Sequence, residues 1–151
     1  MDNYINELRI LTSPKHLYDA LTTQKGLANW WTQQSEVYPH IGGIATFHFG
    51  KKTYVVMKIT KLHPNNEVVW KCVEQYFKTS GTDKTDEWVG TTVKISINEN
   101  KDGTTTLTFH HDGLTPKLFC YEDCRKGWNK YLKSLKKYLE TGKGSPYRSK
   151  K

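Results

Sequence analysis

The chain has 151 residues, of which 36% are hydrophobic, 13% aromatic and 25% charged. This length predicts one domain, and the 5 Trp, 9 Tyr and 5 Phe residues provide enough apolar surface to exclude an intrinsically disordered chain. No apolar run approaches the roughly 18 residues that a membrane-spanning helix needs, and the N-terminus lacks the basic start and apolar core of a signal peptide. The 3 Cys residues do not provide a disulfide framework, so we expect a reduced, cytoplasmic setting.

The net charge of +8 is concentrated in the C-terminal quarter of the chain. Residues 1–114 carry 12 basic and 12 acidic side chains, whereas residues 117–151 carry 11 basic and 3 acidic ones. A basic stripe can attract nucleic acid or anionic lipid. Because no nucleic-acid-binding motif accompanies this charge, we interpret it as a solvated helix face followed by a basic tail over 144–151. No nucleic-acid partner is expected.

The first predicted elements are a strand over 3–11 and two short helices. Ser13-Pro14 is a helix start signal, because a hydroxyl can cap the free N–H groups and Pro fits the first turn. Leu17, Tyr18 and Leu21 then recur at helical spacing, which predicts a helix over 14–22. A second short helix is predicted over 24–30.

A succession of strand-like runs follows these helices. Short turn clusters separate most of the runs, a pattern that favours an antiparallel meander. Alternation is clearest where Val89, Thr91, Val93, Ile95 and Ile97 share one side of the chain, so we expect one buried and one solvated face. The predicted strands cover 44–50, 53–62, 67–76, 89–98 and 104–111.

The last predicted element is an amphipathic helix over 117–141, ended by Gly142. A curved antiparallel sheet that grips this helix would bury its apolar stripe together with the apolar strand faces, and we expect a cavity where the sheet bends away. The predicted fold class is therefore α+β. The stripe consists of Cys124, Trp128, Tyr131, Leu132, Leu135, Tyr138 and Leu139.

Several short motifs occur along the chain in a fixed order: Ser13-Pro14, residues 26–31, Gly42-Gly43, Val69-Trp70, residues 88–93, Gly127-Trp128 and Gly142. Together they resemble the START-like superfamily, also called SRPBCC or helix-grip proteins. Within it, the chain is similar to the family named for the activator of the heat-shock-protein-90 ATPase. The resemblance implies a helix-grip domain over 1–143, with a curved antiparallel sheet wrapped round the long C-terminal helix and two short helices after strand 1.

The resemblance also implies a function. Members of the superfamily share a cavity between sheet and helix. We therefore expect the corresponding cavity of this chain to bind an apolar or amphipathic small molecule without catalysis. Two alternatives remain open: a chaperone-associated interaction module, and a cyclase- or dehydratase-like enzyme that uses the same cavity. The expected partners are an apolar ligand and a chaperone or other protein, and the chain is expected to be a monomer or a weak homodimer.

The cavity candidates are mostly aromatic, because aromatic side chains combine a large apolar area with a polar group that can orient a ligand. Trp70 and Trp128 are candidates for the core or the cavity wall, and Trp31 and Trp88 flank predicted loops at the expected cavity mouth. Further wall candidates are Phe47, Tyr54, Met57 and Phe109.

The histidines and cysteines are the side chains that could serve in catalysis or metal binding. Adjacent strand residues face opposite sides, so His110 and His111 do not bind one metal together. One of them is expected to face the interior with His48, and His48 and His110 are the histidine candidates for the cavity. Cys120 and Cys124 lack a second pair of zinc ligands. With no recognisable catalytic motif, the sequence predicts no catalytic residue, cofactor or metal.

Overall fold

The computed structural model describes residues 3–79 and 81–148. Within these ranges the chain forms seven strands and three helices. In chain order they are β1 (Tyr4–Ile10), α1 (Pro14–Thr22), α2 (Gln24–Trp30), β2 (Gln34–Val37), β3 (Ile44–Phe49), β4 (Thr53–His63), β5 (Glu67–Tyr76), β6 (Thr92–Glu99), β7 (Thr105–Asp112) and α3 (Tyr121–Thr141).

The two short helices begin at hydroxyl caps. The Ser13 side chain accepts a hydrogen bond from the His16 N–H, with Pro14 in the first turn of α1. The Thr23 side chain accepts one from the Gly26 N–H at the start of α2. A Cβ at Gly26 would lie 2.6 Å from the Ala20 Cα, so the close approach of α2 to α1 requires glycine at this position.

The seven strands form one antiparallel sheet in the order β1-β7-β6-β5-β4-β3-β2. Strands β2 to β7 lie beside one another in sequence order, which confirms the predicted meander, and β1 pairs with β7. The register between β4 and β5 shifts between Val56 and Met57 and again between Ile59 and Lys61. Such irregularities bend a strand, and the bend helps the sheet to curve around α3.

The core lies between this sheet and the helices. Alternation is confirmed in β6, where Val93, Ile95 and Ile97 are buried. Val89 is 44% exposed and precedes β6, so its predicted place on the buried face is wrong. The buried residues of α3 are Cys124, Trp128, Leu132, Ser134, Leu135 and Leu139, and the exposed ones include Lys126, Lys130, Lys133 and Lys137. The fold is the expected α+β helix-grip fold.

Helix α3 begins at Tyr121, four residues later than predicted, and a distant carboxylate caps it. Cys120, at the N-cap position, provides no side-chain hydrogen bond. Instead, the two carboxylate oxygens of Glu87 accept hydrogen bonds from the Phe119 N–H at 3.0 Å and the Cys120 N–H at 2.9 Å. A negative charge also suits the positive end of the helix dipole. Glu87 thereby connects the segment before β6 to α3.

Replacement of Glu87 by alanine is therefore expected to lower the free energy of unfolding by about 1–2 kcal/mol, the usual cost of losing a helix cap. Urea unfolding followed by far-UV circular dichroism measures this change. Glu99→Ala is the matched control, since Glu99 is an exposed glutamate at the end of β6. An equal loss of stability in both variants would contradict the assigned capping role.

The residues that follow α3 pack against the domain rather than forming a tail from 144. Gly144 is buried, and a Cβ there would collide with the Asn29 carbonyl oxygen. The Tyr147 N–H donates to the Trp31 carbonyl at 2.8 Å, and the Gln33 N–H donates to the Tyr147 carbonyl at 3.0 Å. The predicted boundary at 144 is corrected accordingly. Residues 149–151 of the predicted tail lie outside the described residues.

Candidate functional site

A pocket with a volume of about 290 Å³ lies between the sheet and the N-terminal half of α3. This volume is close to the lower end of the range for small-molecule sites. Its aromatic lining consists of Trp31, Phe49, Tyr54, Phe77, Trp88, Trp128, Tyr131 and Tyr147. The remaining lining residues are Thr53, Val55, Gln75, Asp123, Cys124 and Gly127. The pocket is thus mainly aromatic, with a few polar groups.

The antiparallel topology brings the lining residues together. Phe49 ends β3, Thr53 begins β4, and Gln75 lies near the end of β5. Because neighbouring strands run in opposite directions, these three positions share one end of the sheet. The first turns of α3 face this end, and the segment after α3 adds Tyr147.

The aromatic rings of the pocket contact one another. The Trp128 ring centroid lies 5.0 Å from that of Trp31 and 5.5 Å from that of Trp88, which is stacked on it. The Phe49 centroid lies 6.0 Å from that of Tyr131 and 5.7 Å from that of Tyr147. These distances are typical of favourable aromatic pairs, so the pocket wall is a connected aromatic surface.

The buried His111 holds the Trp128 ring of this wall in place through a hydrogen bond. The Trp128 Nε1–H donates to His111 Nδ1 at 3.0 Å, so the neutral imidazole carries its proton on Nε2. Nε2 lies 2.8 Å from Thr91 Oγ1, which in turn donates to the Trp88 carbonyl at 2.6 Å. Burial lowers the pKa of His111 to about 3. The imidazole is therefore a neutral, fully hydrogen-bonded support for Trp128.

The Cys124 thiol in the pocket wall and the Cys72 thiol in the core are protonated. The Trp88 Nε1–H donates to Cys124 Sγ at 3.2 Å. A hydrogen bond with Cys120 and burial both raise the pKa of Cys124, and burial raises the pKa of Cys72 to about 12. A protonated thiol is a poor nucleophile and a poor metal ligand. In the described part of the chain, no group of three or more His, Cys, Asp or Glu side chains could hold a metal ion.

The Asp123 carboxylate lines the pocket, whereas the Glu74 carboxylate lies on the exposed outer face of the sheet. The Asp123 carboxylate accepts a hydrogen bond from the Thr79 hydroxyl at 3.1 Å. The Tyr54 hydroxyl donates to the Glu74 carboxylate at 2.6 Å, and this hydrogen bond raises the pKa of Tyr54. Within residues 3–79 and 81–148, no Lys, Arg or His side chain lines the pocket.

Comparison with known proteins places the chain in a family. The model of the family described as "Activator of Hsp90 ATPase homolog 1-like protein" matches residues 11–140. The chain belongs to this family. Among curated proteins, no sequence matches the chain.

Solved structures agree with this membership of the Hsp90 ATPase activator homolog family. The Aha1 dimer from Colwellia psychrerythraea is 30% identical, with a TM-score of 0.79 over 95% of this chain and 100% of that chain. Two structures of lower identity show the fold alone. Protein MLL2253 from Mesorhizobium loti is 18% identical (TM-score 0.74, 91% of this chain and 96% of that one). PFC0360w, an HSP90 activator from Plasmodium falciparum, is also 18% identical (TM-score 0.66, 88% and 92%).

In this member of the activator homolog family, the structure brings four of the ten cavity candidates to the pocket: Trp31, Tyr54, Trp88 and Trp128. Four others are buried in the core without lining the pocket: Phe47, Met57, Trp70 and Phe109. Within the described residues, none of the helices combines the length and apolar character needed to span a bilayer.

The two histidine candidates do not face the pocket. His48 is exposed on β3, because the buried residues of that strand are Ala45 and Phe47 and alternation turns His48 outward. His110 is half-buried on the outer face of β7. The predicted interior positions of His48 and His110 are therefore wrong, and His111 is the interior histidine.

Sequence reasoning missed several lining residues, and for some of them a signal existed. Phe49 lies two residues after Phe47 and thus on the same face of β3, and Tyr131 belongs to the predicted apolar stripe of α3. Gly127 lies three residues after Cys124 and four before Tyr131, both members of that stripe. Tyr147 had no such signal, because it follows the predicted end of the domain.

Proposed function

We propose that the pocket binds an apolar or amphipathic small molecule and that the protein acts by binding rather than by catalysis. The observation that carries this proposal is the connected aromatic wall around about 290 Å³ of space. Apolar and aromatic walls with a few polar groups are typical of small-molecule sites. The protonated Cys124 thiol and the fully hydrogen-bonded His111 supply neither a nucleophile nor a general base, which favours binding over catalysis.

Gly127 gives further support to this proposal. It lies inside α3, where glycine costs up to about 1 kcal/mol relative to alanine. A Cβ at this position would meet no atom within 4 Å, so steric crowding does not explain the glycine. The residue lines the pocket, and its missing side chain keeps the pocket open.

Native mass spectrometry of the gently purified protein, compared with the denatured mass, tests the proposal. We expect a reproducible additional mass on the wild-type protein and on Gly127→Ala, and none on Gly127→Leu, whose side chain fills the pocket. Gly127→Ala is the matched control, because it changes the helix propensity with little loss of volume. Its free energy of unfolding is expected to rise by about 0.5–1 kcal/mol.

An unliganded wild-type protein at every purification condition would contradict the proposal, provided that added apolar fluorophores also fail to bind. An additional mass that persists on Gly127→Leu would place the ligand outside this pocket. Thermal denaturation verifies that both variants are folded, so loss of the ligand is separated from loss of structure.

A second candidate function is an interaction with an Hsp90-type chaperone, and membership of the activator homolog family favours it. The test is the steady-state ATPase rate of the chaperone with and without a molar excess of this protein. Stimulation of the rate supports this function, whereas an unchanged rate together with no co-purification of the chaperone excludes it. The Gly127→Leu variant shows whether any stimulation depends on the pocket.

We also propose that the chain is a monomer or a weak homodimer. The relative from Colwellia psychrerythraea is a dimer, and this chain covers its full length at 30% identity. Sedimentation velocity over a concentration series measures the association. A single concentration-independent species larger than a dimer would contradict this proposal.

A further inference from the structure

We propose that the ligand of the aromatic pocket carries a compact cationic group, such as a quaternary ammonium. This inference rests on the proposed function, since it names the chemical class that the same pocket binds. Two observations support it: the sign of the charges at the pocket, and the three indole rings in its wall.

The charges at the pocket are the reverse of those of the whole protein. The chain has 23 Lys and Arg against 15 Asp and Glu residues. Yet within the described residues, the charged side chain that lines the pocket is Asp123, and no basic side chain lines it. A cationic ligand would find an opposite charge at this position, whereas an anionic ligand would find none.

The Asp123 carboxylate has no ion-pair partner in the described part of the chain. It accepts a hydrogen bond from the neutral Thr79 hydroxyl, which holds the carboxylate in position without balancing its charge. By contrast, the preceding residue Glu122 is paired with Arg125 at 2.9 Å. Asp123 therefore leaves a negative charge at the pocket edge that a ligand can balance.

The pocket wall contains three indole rings that could attract such a cation. The face of an aromatic ring carries partial negative charge, and indole attracts a cation within about 6 Å of its centroid more strongly than the other aromatic side chains do. Trp31, Trp88 and Trp128 line the pocket with neighbouring centroids 5.0 and 5.5 Å apart.

Three small molecules of nearly equal shape test the proposal. Choline carries a trimethylammonium group, tert-butylethanol replaces it by a neutral tert-butyl group, and the anion of tert-butylacetic acid carries a negative charge instead. Each is titrated into the protein while the indole N–H signals are followed by NMR. We expect choline to bind about tenfold more tightly than the neutral alcohol, and the anion to bind most weakly.

Two variants locate the effect. Asp123→Asn keeps an oxygen for the Thr79 hydroxyl and removes the charge, so the affinity for choline is expected to fall about fivefold while the affinity for the alcohol stays unchanged. Glu122→Gln removes the same charge from the same helical turn at a residue that does not line the pocket, and choline binding should be unchanged.

Each alternative outcome overturns a defined part of the proposal. Equal or tighter binding of the neutral alcohol or the anion disproves the cationic class and leaves the pocket as a binding site. Absence of binding by all three probes at millimolar concentration also disproves it, and native mass spectrometry with Gly127→Leu then decides separately whether the pocket binds another ligand. Equal losses in Asp123→Asn and Glu122→Gln would show a long-range charge effect instead of a contact.

Discussion

Replacement of Trp128 by alanine is expected to lower the free energy of unfolding by about 3–5 kcal/mol, the usual cost of removing a large aromatic side chain from a core. Trp128 is buried, and its ring lies 4.5 Å from that of Phe109 as well as against the rings of Trp31 and Trp88. The change also removes the donor that His111 Nδ1 requires. Urea unfolding followed by far-UV circular dichroism measures the loss.

Trp128→Phe separates packing from hydrogen bonding. The phenyl ring retains most of the apolar contact but leaves His111 Nδ1 without a donor, a loss of about 1–3 kcal/mol. We therefore expect an intermediate stability for this variant. A phenylalanine variant as stable as the wild-type protein would show that the bond between Trp128 and His111 contributes nothing measurable.

Acidification is expected to destabilise the protein through His111. Burial lowers its folded-state pKa from the ordinary 6.5 to about 3, against a smaller opposing effect of Asp112. Between these two pH values the unfolded chain binds a proton that the folded chain excludes, so the free energy of unfolding falls as the pH decreases. The slope from this one group reaches about 1.4 kcal/mol per pH unit. Above pH 6.5 both states are neutral, and this contribution to stability is fully present.

The measurement is a series of urea unfolding curves between pH 7 and pH 4. His111→Gln removes the titrating group, so its free energy of unfolding should fall less steeply with decreasing pH, whatever its value at pH 7. His48→Gln is the matched control, because His48 is exposed and its replacement should leave the wild-type slope unchanged. Identical slopes in the wild-type protein and His111→Gln would contradict the buried neutral imidazole.

Local sequence signals were sufficient to predict most of the fold. The Ser13-Pro14 start of α1, the alternation of Val93, Ile95 and Ile97, and the glycine end of α3 at Gly142 are all confirmed. In each case the physical cause acts over a few residues: a cap, a strand period or a left-handed residue.

The sequence was less informative where distant residues determine the structure. β2 has only four residues, too few to show a period, and it pairs with β3 at the sheet edge. The start of α3 depends on Glu87, more than thirty positions before the helix. No local pattern contains such a contact, so the helix was predicted to begin too early.

The sequence predicted the type of site, an aromatic pocket, but identified only some of its lining residues. Aromatic content indicated a pocket wall, and Trp31 and Trp88 lie there as expected. Whether His110 or His111 is buried depends on which face of β7 turns inward. The alternation of Leu107 and Phe109 with polar residues indicates that the odd-numbered positions are buried, and this pattern could have identified His111. Tyr147 reaches the pocket through the backbone pairing of residue 147 with Thr32, a long-range contact.

The return of Tyr147 to the pocket has a consequence for biosynthesis. Trp31 is translated early, but the wall opposite the sheet comes from α3 and the segment after it, and β1 lacks its partner until β7 has been made. A ribosome-bound chain therefore carries an unpaired strand edge and an open aromatic surface for most of its synthesis. The pocket is thus completed only once Tyr147 has been synthesised, and proteolytic removal of the segment after residue 143 would reopen it.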